Sequence, residues 1–184
     1  MPRAPLVYLM GPSGVGKDSL LRFARARIAG AYPIAIAHRY ITRPPTPDDE
    51  NHIALSEPEF EMRRSRGLFA MTWEAHGHRY GIGIEIEQWR DAGLLVVISG
   101  ARRHFIADLQ RTRDIVPVLV TANAEAIAAR LAARGREQGA ALQERMQRER
   151  APIDHPRLVT LDNSGPLEHA GQRLVDLLIS LAAR

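Results

Sequence analysis

Gly11, Gly14, Gly16 and Lys17 fall close together in the stretch GPSGVGKDS, residues 11–19. Glycine lets a backbone turn inward and approach a ligand, so that peptide N–H groups can ring an anion. Lysine adds a point charge, and a helix that starts there adds the positive end of its dipole. The spacing G-x-x-x-x-G-K fits a phosphate-binding loop in full. Such a loop holds a triphosphate such as ATP, so Gly11, Pro12, Ser13, Gly14, Val15, Gly16, Lys17, Asp18 and Ser19 are the candidate donor-site residues. Lys17 is a candidate catalytic residue near the β- and γ-phosphates.

The loop departs from the general pattern at one position. A Ser or Thr normally follows the lysine and gives its hydroxyl to Mg²⁺. Here Asp18 follows, and a serine comes only at Ser19. In many such proteins a second strand ends in an Asp that helps hold the metal, yet Leu94–Ile98 (LLVVI) carries no acid. Mg²⁺ accepts carboxylate oxygen readily, so Asp18 is expected to bind the metal directly or through water. The other reading makes Asp18 an acid favoured at a helix start, with Ser19 at the metal.

A phosphate loop works only between a strand and a helix, and both are present. Leu6–Met10 (LVYLM) reads as a buried strand ending in glycine. KDSLLRFARARIAG then carries apolar residues at helical spacing up to Gly30. Further strands read at Leu94–Ile98, Ile115–Val120 and Leu158–Leu161, each followed by a helical stretch, the last from Pro166 to about Leu181. Asn123 reads as an N-cap for AEAIAARLAAR. Pro117 lies within a strand and cannot donate to a ladder, which predicts an edge or irregular position. Alternating strands and helices predict an α/β fold, a parallel sheet of about five strands flanked by helices. Ligands then bind beyond the carboxyl ends of the strands. Thr42 to about Gly83 breaks the rhythm and reads as an insertion over the sheet edge, starting in the polar loop TRPPTPDDEN.

At 184 residues, one domain is expected. Apolar residues at 45% and charged residues at 25% exclude a globally disordered chain. The formal charge of 25 − 21 = +4, carried mostly by arginine, suits a small polyanion as well as it suits nucleic acid. Absence of cysteine excludes disulfides, thiolate metal sites and cysteine nucleophiles. No apolar stretch nears the roughly 18 residues of a membrane span, and MPRAPLVYLMGPSG lacks a signal core. A cytoplasmic protein acting on small molecules, without membrane or nucleic-acid partners, is the expectation; the oligomeric state stays open.

GPSGVGK, ITRPP, HIALSEPEF, GLFAMTWEAHGHRYG and RLAARGRE, in that order along the chain, resemble the guanylate kinase branch of nucleoside monophosphate kinases. The resemblance implies the P-loop fold, with a core of about residues 1–41 and 84–184, an acceptor-binding insertion (about 42–83) and a lid (about 134–145). It implies that Arg43 and Tyr80 hold the acceptor's phosphate. A second family arginine falls at Thr46 and a further family tyrosine at His52, which makes His52 an acceptor-binding candidate. The family glutamate that reads guanine is Met71 here, and family aspartates fall at Leu95 and Val97. A polar base edge is selected by paired hydrogen-bonding groups, and these residues supply none. Guanine is therefore not the expected acceptor.

GKDS together with this stripped pocket resembles the ribose 1,5-bisphosphate phosphokinases. That resemblance implies ATP-dependent phosphorylation of ribose 1,5-bisphosphate to 5-phosphoribosyl 1-diphosphate, in phosphonate breakdown. By the same resemblance Arg134 and Arg136 match lid arginines that close over the transferring group, Arg134 being a candidate catalytic residue. Arg145, a substrate-binding candidate, and Arg148 follow on LQERMQRERA, where a solvated helix face paired as Glu144–Arg148 is the alternative. A phosphate acceptor is already ionised, so His52, His76 and His78 are not expected to act as bases. Two other classes remain: another nucleotide or small-molecule kinase, and a non-catalytic binding module, against which the intact Lys17 and glycines argue.

Overall fold

The computed structural model describes residues 4–44, 51–133 and 152–183. In chain order the elements begin with β1 (Leu6–Met10), α1 (Lys17–Ile28), β2 (Ile34–Ile36), β3 (Arg39–Ile41), β4 (His52–Ala54), α2 (Glu57–Ser65), β5 (Phe69–Ala75) and β6 (His78–Gly83). There follow α3 (Glu85–Asp91), β7 (Leu95–Ser99), α4 (Arg102–His104) with a π-helical turn Phe105–Leu109, β8 (Ile115–Thr121), α5 (Ala124–Ala133), β9 (Val159–Asp162) and α6 (Leu167–Ala182).

All five residues of β1 are buried, so this strand belongs at the centre of a sheet covered on both faces. It lies between β7 and β8 in the order β2-β7-β1-β8-β9, and every pairing in that sheet is parallel. Strand side chains alternate in direction, and the core divides accordingly. Val7, Leu9, Leu95, Val97, Val116 and Val118 face α1 and α6. Leu6, Tyr8, Met10, Val96, Ile98 and Ile115 face Ile86 of α3, Phe105 and part of a second sheet. Leu174 and Leu178 of α6 are fully buried, each contributing roughly 1.5–3 kcal/mol. Gly171 lets α6 approach α1, because a Cβ there would lie 2.5 Å from the Phe23 ring.

The sequence signals read for β1, α1, β7, β8, α5, β9 and α6 hold within a residue or two, whereas the edge strand β2 was not read. α1 ends at Ile28, before Gly30 in a left-handed turn at φ 70°. Asn123 caps α5 by accepting from the Ala126 N–H at 2.8 Å. Pro117 lies on β8, which has neighbours on both sides, contrary to a simple edge strand. Its pairing with β9 starts only at Val118, so Pro117 stands where β8 is locally unpaired on that side. Among the described residues no helix is long and apolar enough to cross a membrane.

The second sheet has the order β4-β3-β6-β5. Its first strand, β3, precedes Thr42. One face is closed by α2: Phe60 stacks on Phe69 with centroids 4.7 Å apart, and Tyr40 tilts against Phe69 at 5.7 Å. Gly81 beneath Phe69 leaves room for that ring. Ser56 starts α2 by accepting from the Glu59 N–H. The opposite face follows from register, since directly paired residues point the same way. Arg39 pairs with His52, Ile41 with Tyr80, and Tyr80 with Trp73. Arg39, His52, Tyr80 and Trp73 thus share the face turned away from α2.

Candidate active site

Where β1 ends, the chain turns through the glycine loop and enters α1. Gly14 and Gly16 have φ of 82° and 95°, in the left-handed region that favours glycine. A Cβ on Gly11 would collide with the Val120 carbonyl oxygen, and one on Gly14 would lie 2.9 Å from Leu131. Gly16 is the N-cap of α1 and has no side chain with which to cap the first turn. Its N–H groups are therefore open toward the mouth of the loop, as an anion site requires.

The loop is tied down from outside. The Val15 carbonyl accepts from Asn163 Nδ2 at 2.8 Å and from Arg130 Nη1 at 3.2 Å. Arg130 Nη2 also donates to the Asn163 carbonyl at 2.7 Å. With that carbonyl turned outward, the Val15–Gly16 peptide presents its N–H the other way. Asn163 is only 2% exposed, so it is a fixed strut. Lys17 Nζ donates to the Gly11 and Pro12 carbonyls at 2.6 and 3.0 Å, which brings its ammonium back across the loop.

Asp18 is close to the second sheet. Arg39 Nη2 donates to Asp18 Oδ1 at 2.8 Å, with the arginine side chain 15% and the aspartate 43% exposed. This guanidinium links β3 to the first turn of α1, a contact absent from the sequence-based expectations.

Beside it lie three of the four expected acceptor residues. His52 Nε2 is 3.2 Å from the Arg43 carbonyl, and Nδ1 is 3.4 Å from Arg43 Nη2. A carbonyl can only accept and a guanidinium only donate, so Nε2 carries the hydrogen and Nδ1 the lone pair. Both ring nitrogens therefore face Arg43. Tyr80 stacks on Trp73 at 5.5 Å and 9°, and Trp73 stacks in turn on His104 at 5.5 Å and 18°. His104 also bonds Asp108 through Nδ1 at 2.9 Å. Burial lowers its pKa from the ordinary histidine value, against the pull of Asp108. Arg134 and Arg145, like Thr46, Arg136, Glu144 and Arg148, lie outside the described residues.

His76 and His78 belong to the hairpin between β5 and β6. His76 takes a positive φ of 53° in the turn, and His78 Nδ1 lies 3.2 Å from the Thr42 carbonyl. Met71 is half-buried against the core, while Leu95 and Val97 are buried within it. The polar residue of β7 is Ser99, its hydroxyl buried at the strand's carboxyl end without a hydrogen-bond partner among the described residues. The strand runs one residue past the LLVVI read from sequence, and Ser99 is the residue that boundary missed. Trp73 and His104 were missed as well; nothing at sequence level distinguishes them from core aromatics.

No family model matches the chain. Its fold is similar to that of guanylate kinase from Anaplasma phagocytophilum, with a TM-score of 0.69 over 100% of this chain and 89% of that one, at 16% identity. A sugar kinase from Janibacter is also similar, with a TM-score of 0.52, 17% identity and 97% of each chain covered. At such identities the likeness is one of fold. Sequence relatives are nearer. The chain is 50% identical to ribose 1,5-bisphosphate phosphokinase PhnN of Desulfomicrobium baculatum over 95% of this chain and 94% of that protein. It is 45% identical to the protein of that name from Thiobacillus denitrificans, covering 97% and 94%. For the Burkholderia pseudomallei protein the identity is 47%, covering 96% of both. A chain this similar to such proteins along nearly its whole length belongs to the ribose 1,5-bisphosphate phosphokinase family.

Proposed function

We propose that the protein transfers the γ-phosphoryl group of ATP to the 1-phosphate of ribose 1,5-bisphosphate, releasing ADP and 5-phosphoribosyl 1-diphosphate, a step of phosphonate breakdown. One observation carries the reading beyond the family name. A complete phosphate loop faces a sheet whose arginine, histidine and tyrosine suit a phosphate, while Met71 offers a purine edge nothing polar and Leu95 and Val97 are buried in the core on the side of α1 and α6.

The chain's own groups divide the work. Main-chain N–H groups between Gly11 and Ser19, Pro12 having none and Val15 donating its own to the Pro12 carbonyl, hold the donor's phosphates together with the Lys17 ammonium. Lys17 leaves the Gly11 and Pro12 carbonyls for the phosphate oxygens, where an anion is the stronger acceptor. Arg43, buttressed by His52, and Tyr80 hold the acceptor. An oxygen of its 1-phosphate attacks the γ-phosphorus, and the bond from that phosphorus to the ADP oxygen breaks in line with it. The attacking oxygen carries no proton to remove, so positioning and charge neutralisation are the catalytic task. Arg134 and Arg145 would add positive charge from the lid (about 134–145) as it closes over the core and insertion.

Mg²⁺ fits the donor set. Asp18 and Ser19 offer hard oxygens at the start of α1, and Mg²⁺ is commonly held by one or two carboxylates plus substrate phosphates. Among the described residues no three His, Asp or Glu side chains are grouped to hold a metal; phosphate and water would complete the shell. When bound there, the ion would neutralise charge on the transferring group. A cytoplasmic location and freedom from nucleic-acid partners go with this small-molecule chemistry.

The test is incubation with ATP, Mg²⁺ and a panel of phosphorylated acceptors, followed by ³¹P NMR. A new diphosphate on ribose 1,5-bisphosphate is expected. More efficient conversion of GMP would replace this reading with a guanylate kinase, and no transfer to any acceptor would leave a binding module.

A further inference from the structure

We propose that Arg39 is a further substrate-binding residue, a guanidinium that grips the acceptor's phosphate and is positioned by Asp18. The proposal rests on the phosphoryl-transfer reading above and adds a residue to it.

Placement is the first argument. Arg39 leaves β3 on the face that carries His52 and Tyr80, in direct register with His52. His52 in turn meets Arg43. At its far end the guanidinium meets Asp18, the second residue of α1. Arg39 therefore spans from the acceptor face to the mouth of the donor loop, where an incoming phosphate must lie to meet the γ-phosphorus.

Hydrogen-bond capacity is the second argument. A guanidinium carries five donors in a planar fork that matches phosphate oxygens two at a time. Asp18 takes one from Nη2, whereas Nε is buried and has no hydrogen-bond partner among the described residues. A buried unpaired donor is destabilising, and such groups are uncommon unless a ligand or water completes them. Nε and its neighbouring N–H form one edge of the fork. An anion seated on that edge satisfies it.

Charge supplies the third. Loose arginine side chains sample many rotamers and lose entropy on binding. Asp18 holds Arg39 extended before the ligand arrives, so less ordering remains to be done. The aspartate in place of the usual Ser or Thr then has a reason apart from the metal: it aims a cation across the cleft.

Calorimetry with ribose 1,5-bisphosphate, without nucleotide or metal, tests this on the wild type, Arg39→Ala, Arg39→Lys and Asp18→Asn. Arg39→Ala should weaken binding roughly 10- to 100-fold, the loss expected for charge-assisted hydrogen bonds. Arg39→Lys should recover part of it, because lysine keeps the charge and loses the fork. Asp18→Asn should weaken acceptor binding several-fold in the same metal-free calorimetry, whereas a purely metal-binding Asp18 would leave that affinity unchanged and shift only the Mg²⁺ titration. Wild-type acceptor affinity in a folded Arg39→Ala protein would overturn the proposal. A wild type that neither binds nor converts ribose 1,5-bisphosphate would instead sink the functional reading. In that case the same variants are titrated with inorganic phosphate by ³¹P line broadening, and broadening in Arg39→Ala as strong as in the wild type overturns the role of Arg39.

Discussion

On the proposed function, the donor loop and the acceptor sheet take phosphate by opposite means. The loop offers main chain: its glycines set the path, and the Val15 carbonyl is held outward by Asn163 and Arg130. The sheet offers side chains: Arg39 on β3, Tyr80 on β6, and Arg43 in the bend just past β3, on backbone that only carries them. Main-chain recognition is indifferent to what lies beyond the phosphates. Side-chain recognition can be re-specified by substitution, as Met71 in place of an acid illustrates. On the proposed function, one half of the site fixes the reaction and the other chooses the acceptor.

On the same reading Lys17 is the exception on the donor side, a side chain that the main chain does not replace. Lys17→Ala should lower kcat roughly 10²- to 10³-fold, the loss typical of removing one preorganised group from a developing anion. Steady-state kinetics with saturating acceptor checks it. A loss below tenfold would mean that backbone N–H groups suffice and would make the contrast between the halves sharper still. Arg43→Ala comes next. It should raise the acceptor KM roughly 10- to 100-fold and leave the nucleotide Kd within about twofold, a split that a merely structural arginine would not give.

Legibility in the sequence follows the same division. Strand, glycine loop and helix are contiguous, so local spacing was enough to place β1, the loop and α1. The sheet β4-β3-β6-β5 is assembled from short strands with mixed polar and apolar residues, where neither period 2 nor period 3.6 stands out. Arg43 and Tyr80 were legible only through resemblance. Arg39, four residues before Arg43, gives no signal of its own at sequence level, because its partner Asp18 is 21 residues away in the chain. Asn163 and Arg130 could not be matched with Val15 from sequence, since their contacts span |i−j| of 148 and 115.

Those two struts allow a smaller test of the main-chain half. Asn163→Ala removes one of two bonds to the Val15 carbonyl and leaves Arg130 in place. The cost should be about 1 kcal/mol, read as a roughly fivefold weaker nucleotide Kd with an unchanged acceptor KM. A change in acceptor KM of the same size would show that the halves are mechanically coupled, against the division drawn above.

The smallest expected effect lies at the seam between the halves, where His104 stacks on Trp73 of the second sheet and lies near Tyr8 of the central strand. Its side chain is 9% exposed. Burial lowers its pKa below the ordinary 6.5, while the charge of Asp108 and their hydrogen bond oppose the shift. The folded state thus binds a proton at His104 less readily than the unfolded chain. Stability from this group is complete above pH 6.5 and is lost as pH falls from there toward the lowered value. The slope is at most about 1.4 kcal/mol per pH unit for one proton. His38 is lowered in the same direction, by burial and then by Arg25, so it contributes to the same acid limb. Denaturant titrations between pH 7.5 and 5 should show wild-type stability falling below about pH 6.5, and His104→Gln should make that fall shallower without abolishing it. An acid limb of unchanged slope in His104→Gln would mean that the seam opens to let the ring be protonated in place, and that acceptor sheet and core are joined less tightly than the stacked rings imply.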